Sequence, residues 1–373
     1  MDPRILQPGE RIRVMVVDDS VVIRRLVTHA LESDPLIEVV GAASNGALGL
    51  QRIPALDPDL ITLDIEMPDM DGLEMLRRIR RDYPLLRVIM FSTLTERGAA
   101  ITLEALTLGA DDYVAKVSNQ GSLDKSMTRL RDEMLPKIKQ FFRIPHLSQS
   151  PIYAKSNGES SAVRSIHSVK IPPEVLVIGI STGGPAALGA ILPTLPADYP
   201  LPVLVVQHMP PVFTRLLAER LDAQCPLRVS EATQGSLVEP GSILLAPGDF
   251  HMRVVSEKGR AVISLDQSPQ QNFCRPAVDV LFRSIGEIYG GAVLAVVLTG
   301  MGQDGLRGVE VLKAHGATIL AQDEATSVVW GMPGAVVRAG LADRVLAIND
   351  VVPAILELSQ TNAGGSSWTS RQS

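Results

Sequence analysis

Apolar runs of strand length alternate with stretches of helical spacing along residues 13 to 142. RVMVVDD, IEVVGAA, LITLDIEM, LRVIMFST and DYVAKV are short and rich in Val, Ile and Leu, the pattern of strands buried on both faces. Amphipathic stretches follow each of them, the last being LDKSMTRLRDEMLPKIKQFF. Strands separated by helices pair in parallel, so the pattern predicts a five-stranded parallel sheet with helices on both faces. The periodicity fades over IPHLSQSPIYAKSNGESSAVRSIHSVKIPP, whose Ser and Pro content is that of an exposed linker. A second alternating series follows, with strands VLVIGIS, LPVLVVQH, LRVSEAT, SILLAP, AVLAVVLT and ATILAQD, and helices such as VFTRLLAERLDAQ and AVDVLFRSIGEIYG. HMRVVSEKGRAVISLD, turning at Lys258 and Gly259, reads as a β-hairpin inside this second sheet.

The expected fold class is α/β, with two doubly wound parallel-sheet domains at 11–143 and 174–360, a linker at 144–173 and a disordered polar tail at 361–373. A chain of 373 residues exceeds what one core organises, which agrees with that division. No apolar run approaches the roughly 18 residues that span a bilayer, and MDPRILQPGERIR does not read as a signal peptide. A cytoplasmic location without membrane insertion is therefore expected. Cys225 and Cys274 are the only cysteines, too few and too far apart for a disulfide framework or a zinc site. The segment from Glu174 to Gln360 holds 12 Lys and Arg against 18 Asp and Glu, which argues against nucleic acid as a partner.

Loops at the carboxyl ends of parallel strands gather on one edge, where ligands bind. In the first domain Asp18 and Asp19 end the first strand, Asp64 the third, Ser92 the fourth and Lys116 the fifth. Singly each has a modest explanation, such as Asp19 capping the helix that starts near Ser20. Together, three carboxylates repel one another and call for a divalent cation, and oxygen ligands suit Mg²⁺. A metal, a hydroxyl and a lysine around one carboxylate are the parts that phosphoryl transfer onto it requires.

The second domain repeats the logic. Ser181 in GISTGGP, His208 in QHMP and Asp304 in TGMGQDG each follow an apolar strand, so all three stand on one rim. A serine needs a base to become a nucleophile, and the base needs a third group to fix its tautomer. The spacing equally allows a buried cap network, with Asp304 capping DGLRGVEVLKAH. The glycines of TGMGQDG allow the N–H groups of Met301 and Gly302 to turn inward toward an oxyanion. Other histidines have simpler roles: His315 ends a helix before Gly316, His251 opens the hairpin, His29 lies on a helix of the first domain, and His146 and His167 lie in the linker. GISTG also fits the nucleophile elbow of α/β-hydrolases, but that fold orders its triad Ser, acid, His, whereas Ser181, His208 and Asp304 run Ser, His, Asp; a hydrolase reading needs His315 as base with Asp279 or Asp304 as acid. The glycine loop could instead cradle a phosphate, but it lacks the G-x-G-x-x-G spacing and the Walker lysine.

VVDDS, LDIEMPDMDG, MFST and YVAK resemble the receiver domains of two-component response regulators, and ISTGGP, QHMP, LAPG, RPAVDVLF, TGMGQDG and GMPGAV resemble the chemotaxis protein-glutamate methylesterases. The resemblance spans nearly the whole chain apart from linker and tail, and it implies a flavodoxin-like receiver followed by a Rossmann-like methylesterase domain. It further implies that Asp64 accepts the phosphoryl group, that Asp18 and Asp19 hold Mg²⁺ beside it, that Ser92 and Lys116 contact the phosphoryl group, and that Tyr113 is an aromatic switch. Ser181 becomes the nucleophile, His208 the base and Asp304 the orienting acid, with Thr182 and Met301 lining the oxyanion region and no cofactor in the ester step.

The implied reaction is hydrolysis of γ-glutamyl methyl esters, with deamidation of certain glutamines, on methyl-accepting chemoreceptors, under control of a histidine kinase. In the implied resting state the receiver lies over the catalytic rim. A phosphorylation-dependent binding module without catalysis is the alternative, and a transcriptional regulator is disfavoured by the acidic second half. Two departures are visible. Val117 follows Lys116 where receivers usually carry proline, and Ala277 stands where R-P-S-V-D has serine, with Cys274 in the approach to it.

Overall fold

In the computed structural model, which describes residues 4–93, 95–116, 123–143 and 171–359, the first five apolar runs form one parallel sheet. Its strands are β1 (Ile12–Val17), β2 (Ile37–Ala43), β3 (Leu60–Asp64), β4 (Arg87–Ser92) and β5 (Asp112–Ala115), ordered β2-β1-β3-β4-β5. The crossovers are α1 (Val21–Glu32), α2 (Gly46–Leu56), α3 (Gly72–Asp82) and α4 (Glu96–Thr107), and α5 (Leu123–Lys139) closes the domain. The strand order reverses between β1 and β3, and this switch point opens the crevice into which Asp18, Asp19 and Asp64 project. Side chains cap the first four helices: Ser20, Asn45, Asp71 and Thr95 accept from Ile23, Leu48, Glu74 and Gly98 N–H. Ser20, rather than Asp19, caps α1, because the Asp18 carboxylate accepts the Ser20 N–H over 2.8 Å and holds that turn.

The second series forms a seven-stranded parallel sheet. It contains β6 (Val175–Ile180), β7 (Val203–Gln207), β8 (Arg228–Glu231), β9 (Ser242–Leu245), then, beyond the hairpin β10 (His251–Glu257) and β11 (Arg260–Asp266), β12 (Val293–Val297), β13 (Thr318–Gln322) and β14 (Arg344–Leu346). The order is β8-β9-β7-β6-β12-β13-β14. Every residue of β6, β7, β12 and β13 is buried, which is why these strands read as unbroken apolar runs. β14, three partly exposed residues, is too short to show a period.

The helices of this domain are α6 (Gly184–Ile191), α7 (Pro211–Asp222), α8 (Val278–Tyr289), α9 (Leu306–Ala314), α10 (Met332–Arg338) and α11 (Ile348–Ser359). The hairpin turns at Lys258 and Gly259 as expected, both with positive φ, but it is not part of the large sheet. Its strands form a separate two-stranded sheet, β11 also bridges antiparallel to Leu237 through Val262, and its buried Met252, Val254 and Ile263 pack with Leu281 and Ile285 of α8. Val254 N–H also donates to Ser284 Oγ of α8 over 3.1 Å. An apolar hairpin face finds its cover on that helix rather than at a sheet edge.

The two domains share one apolar cluster. Leu103 and Leu106 of α4 and Tyr113 of β5 belong to it together with Phe213, Leu217 and Leu221 of α7. The Tyr113 and Phe213 rings stack with centroids 4.7 Å apart and planes 11° from parallel, and Glu96 pairs with Arg215 at the edge of this contact. Most of the expected linker, the expected tail and Val117 lie outside the described residues. Among the described residues no helix is long and apolar enough to cross a membrane.

Candidate active site

At the carboxyl edge of the first sheet, ligand atoms of Asp18, Asp19 and Asp64 lie within 4.8 Å of one another. Lys116 Nζ stands 2.7 Å from Asp64 Oδ1 and 3.3 Å from Asp18 Oδ2. Burial pushes the Asp64 carboxyl up to about 6 despite the hydrogen bond from Lys116. Burial disfavours the charge on Lys116, yet its bonds and attraction to Asp64 and Asp18 leave its pKa raised. Asp64 Oδ2 is buried without a hydrogen-bond partner among the described residues. An all-oxygen set with an unsatisfied carboxylate oxygen fits a hard divalent cation. Ser92 closes β4, but its hydroxyl is turned toward α4, 2.7 Å from Thr102 Oγ1. Tyr113 lies away from this edge, at the domain contact.

At the carboxyl edge of the second sheet the strand order reverses between β6 and β12, and Ser181 and the 299–305 loop flank that point. The turn after Ser181 requires its glycines. Gly183 has φ +79°, and a Cβ on Gly184 would lie 1.8 Å from Gln207 Oε1. Gln207 Nε2 in turn donates to Ser181 O over 3.0 Å, tying the turn to the end of β7. His208 follows β7 directly, and its Nε2 lies 2.8 Å from Asp304 Oδ2.

Asp304, 2% exposed, is held from several sides. Its Oδ2 accepts Val278 N–H over 2.6 Å, and its Oδ1 accepts Asp279 N–H over 3.1 Å and Asn272 Nδ2 over 2.8 Å. The carboxylate therefore sits at the N-terminus of α8, where amide donors and helix dipole favour negative charge. It does not cap its own helix: α9 begins after Gly305 without a side-chain cap. This also accounts for Ala277, which occupies the N-cap position of α8 with no cap of its own while Asp304 takes the helix amides. Burial opposes ionisation of Asp304, but its bond to His208 and the helix amides hold its pKa below the usual value.

His208 contacts a second group, for Cys274 Sγ lies 3.5 Å from its Nδ1. Burial disfavours the imidazolium, yet Cys274 and Asp304 outweigh that and push the His208 pKa up to about 10. Ser181 makes no hydrogen bond to His208 among the described residues, although both line one cavity of about 420 Å³. Thr182, Met301, Gly302 and Asp304 line the same cavity, and Asp112, Tyr113 and Lys137 of the first domain close one side of it. Thr182 Oγ1 donates to Asp112 Oδ2 over 3.2 Å across that boundary.

Gln207, Asn272 and Asp112 have no role in the sequence reading. Gln207 stood beside the base without a spacing signal of its own, and the other two reach the cavity only through folding. The competing histidines are elsewhere: His315 Nδ1 lies 2.8 Å from Val311 O at the end of α9, and His251 is buried at the start of β10.

The geometry can support acyl transfer through Ser181 and phosphoryl transfer onto Asp64. A model of the response regulator receiver domain matches residues 14–128, and a model of the CheB methylesterase matches residues 176–355. A protein-glutamate methylesterase/protein-glutamine glutaminase of a Nocardioides species is 52% identical, covering 94% of this chain and 95% of its own. Its namesake from Trichodesmium erythraeum is 47% identical, covering 93% and 98%. The crystal structure of the Thermotoga maritima CheB methylesterase catalytic domain is 45% identical, covers 50% of this chain and all of that one, and has a TM-score of 0.49. Receiver domains in general carry a Mg²⁺-binding phosphorylation site. On the strength of the two family models and of relatives that cover nearly its whole length, the chain belongs to the CheB methylesterase family, with a response regulator receiver domain in front of the catalytic one.

Proposed function

We propose that this chain is a phosphorylation-controlled serine esterase that hydrolyses γ-glutamyl methyl esters of methyl-accepting chemoreceptors and deamidates receptor glutamines. The observation that carries the reading is the 2.8 Å His208–Asp304 bond on the cavity that Ser181 lines. Asp304 occupies Nε2, so Nδ1 is the nitrogen left to receive the Ser181 proton, and Cys274 must yield that position to the serine hydroxyl. Ser181 Oγ attacks the ester carbonyl, and backbone amides near Thr182, Met301 and Gly302 face the oxyanion. The imidazolium returns its proton to departing methanol. Water, deprotonated by His208, then releases the glutamate carboxylate and restores Ser181. These proton transfers use Ser181 and His208 alone, and the ester step is proposed to need no cofactor.

The receiver, proposed to span 11–143 ahead of a catalytic domain at 174–360, supplies the control. Asp18, Asp19 and Asp64 would hold Mg²⁺, which neutralises phosphoryl charge when bound. Asp64 accepts the phosphoryl group from a histidine kinase, Lys116 pairs with its oxygens, and Ser92 turns toward it, leaving Thr102 on α4. Because α4 and Tyr113 meet α7, that change reaches the domain contact, where the receiver covers one side of the cavity. A cytoplasmic location follows from these partners. The test is methanol release from methylated receptor: Ser181→Ala abolishes it, and retention of release in that variant would favour a non-catalytic role for the serine.

A further inference from the structure

Residues 271–274 form a tight turn at the cavity mouth. Gln271 N–H donates to Cys274 O over 3.1 Å, and Cys274 N–H donates to Gln271 O over 2.9 Å. The two central residues both have positive φ, +51° at Asn272 and +62° at Phe273, the mirror-image turn for which Asn-Gly is the favoured pair. Asn272 suits its place. Phe273 does not, since a bulky side chain in the left-handed region is an outlier, and the residue is 96% exposed. Two unfavourable features meet at one residue, and neither stabilises the chain.

The turn is nevertheless pinned to the catalytic groups. Asn272 Nδ2 donates to Asp304 Oδ1 over 2.8 Å and to Asp279 Oδ2 over 2.9 Å, and Gln271 Oε1 accepts from Arg283. Cys274 Sγ faces His208 Nδ1 at 3.5 Å. Each neighbour of Phe273 thus touches one member of the His208–Asp304 pair, which sets the ring on the lip of the cavity. Met301, 38% exposed, lies on that lip as well. Strain maintained beside reacting groups, with an aromatic side chain held out to solvent, is what a ligand-gripping turn requires.

We propose that Phe273 is the substrate-gripping residue: its ring packs on the apolar face of the receptor helix beside the esterified glutamate, with Met301 completing an apolar lip. The inference rests on the methylesterase reading and deepens it. The cavity takes the ester side chain, while the lip selects the protein surface that carries it. A rigid aromatic anchor suits this, because few rotamers are lost when it is covered.

The experiment compares wild type, Phe273→Ala, Phe273→Tyr and Phe273→Gly in the full chain, phosphorylated with acetyl phosphate, on methylated receptor and on the γ-methyl ester of N-acetylglutamate. Phe273→Ala raises KM for receptor by about tenfold or more, leaving kcat nearly intact, and this loss exceeds any change on the small ester. Phe273→Tyr retains the wild-type KM. Phe273→Gly shares the KM defect of Phe273→Ala yet unfolds at higher denaturant, because glycine relieves the left-handed turn. An unchanged receptor KM in Phe273→Ala overturns the proposal, as does an equal loss on both substrates, which would make the turn a support for His208 and Asp304. Wild-type hydrolysis of the small ester without methanol release from receptor would sink the substrate reading itself, and this inference with it.

Discussion

His208 Nε2 and Asp304 Oδ2 meet at 2.8 Å although 96 residues separate them in the chain. The parallel strands β7 and β12 flank β6 on its two sides, so the loops that carry the pair open on the same edge. The Asp304 carboxylate also binds the first amides of α8, which joins the orientation of the base to the placement of a helix. That double duty shapes what substitutions do.

Asp304→Asn removes the charge that fixes the imidazole and leaves the shape of the loop. On the precedent of serine triads kcat falls about 10⁴-fold with KM little changed. Methanol release under saturating and limiting receptor separates the two constants, and a loss confined to KM would contradict an orienting role.

Cys274→Ala tests the second neighbour of the base. Because Cys274 helps hold the His208 pKa up to about 10, and catalysis needs neutral imidazole, kcat/KM climbs with pH toward that value. Removing the thiol shifts the ascending limb to lower pH and raises activity at neutrality. Stability runs the other way. A histidine whose pKa is raised on folding contributes stability that is full below its unfolded pKa of about 6.5 and lost as pH rises toward the folded value. Denaturation midpoints measured across that range should therefore fall less steeply in Cys274→Ala.

Tyr113→Ala loosens the domain contact without touching the catalytic residues. An aromatic stack contributes about 0.5–1.5 kcal/mol beyond burial, so basal release by the unphosphorylated chain should rise about 2- to 10-fold. No rise in a folded variant would mean that this contact does not restrain the enzyme.

Chelation of divalent cations should abolish labelling of Asp64 by acetyl phosphate and spare methanol release by the unphosphorylated chain. Asp18→Asn is expected to reproduce the labelling defect, because it removes one of the carboxylates that cluster with Asp64. Labelling that persists in excess chelator would rule out the metal's part.

Gly184→Ala places a methyl group against Gln207 Oε1, in space the glutamine now fills. Overpacking of this kind costs about 1–3 kcal/mol, read as a lower denaturant midpoint. Because Gln207 also holds Ser181 O, kcat should fall with it, and Gly189→Ala, with open space around the added carbon, serves as the control.

All strands of the two sheets but β14 were legible because strands covered on both faces are largely apolar, and their carboxyl ends or the segments that follow them carry Asp64, Ser181, His208 and Asp304. The hairpin was legible as a pair of strands but not in its location, since its alternation says which face is covered and not that α8 covers it. β14 carried too few residues for any period.

Order along the chain, together with the rule that loops gather at one sheet edge, was enough to determine two α/β units and the residue types that could act in each. Tertiary structure alone decided which of Asp304's possible partners it takes, that Cys274 rather than Ser181 stands at His208 Nδ1, and that Asp112 and Tyr113 wall the cavity of the other domain. Those contacts join segments from 26 to nearly 200 residues apart. Local sequence constrains backbone shape over a few residues, whereas the distance between such remote side chains depends on how every intervening strand and helix packs.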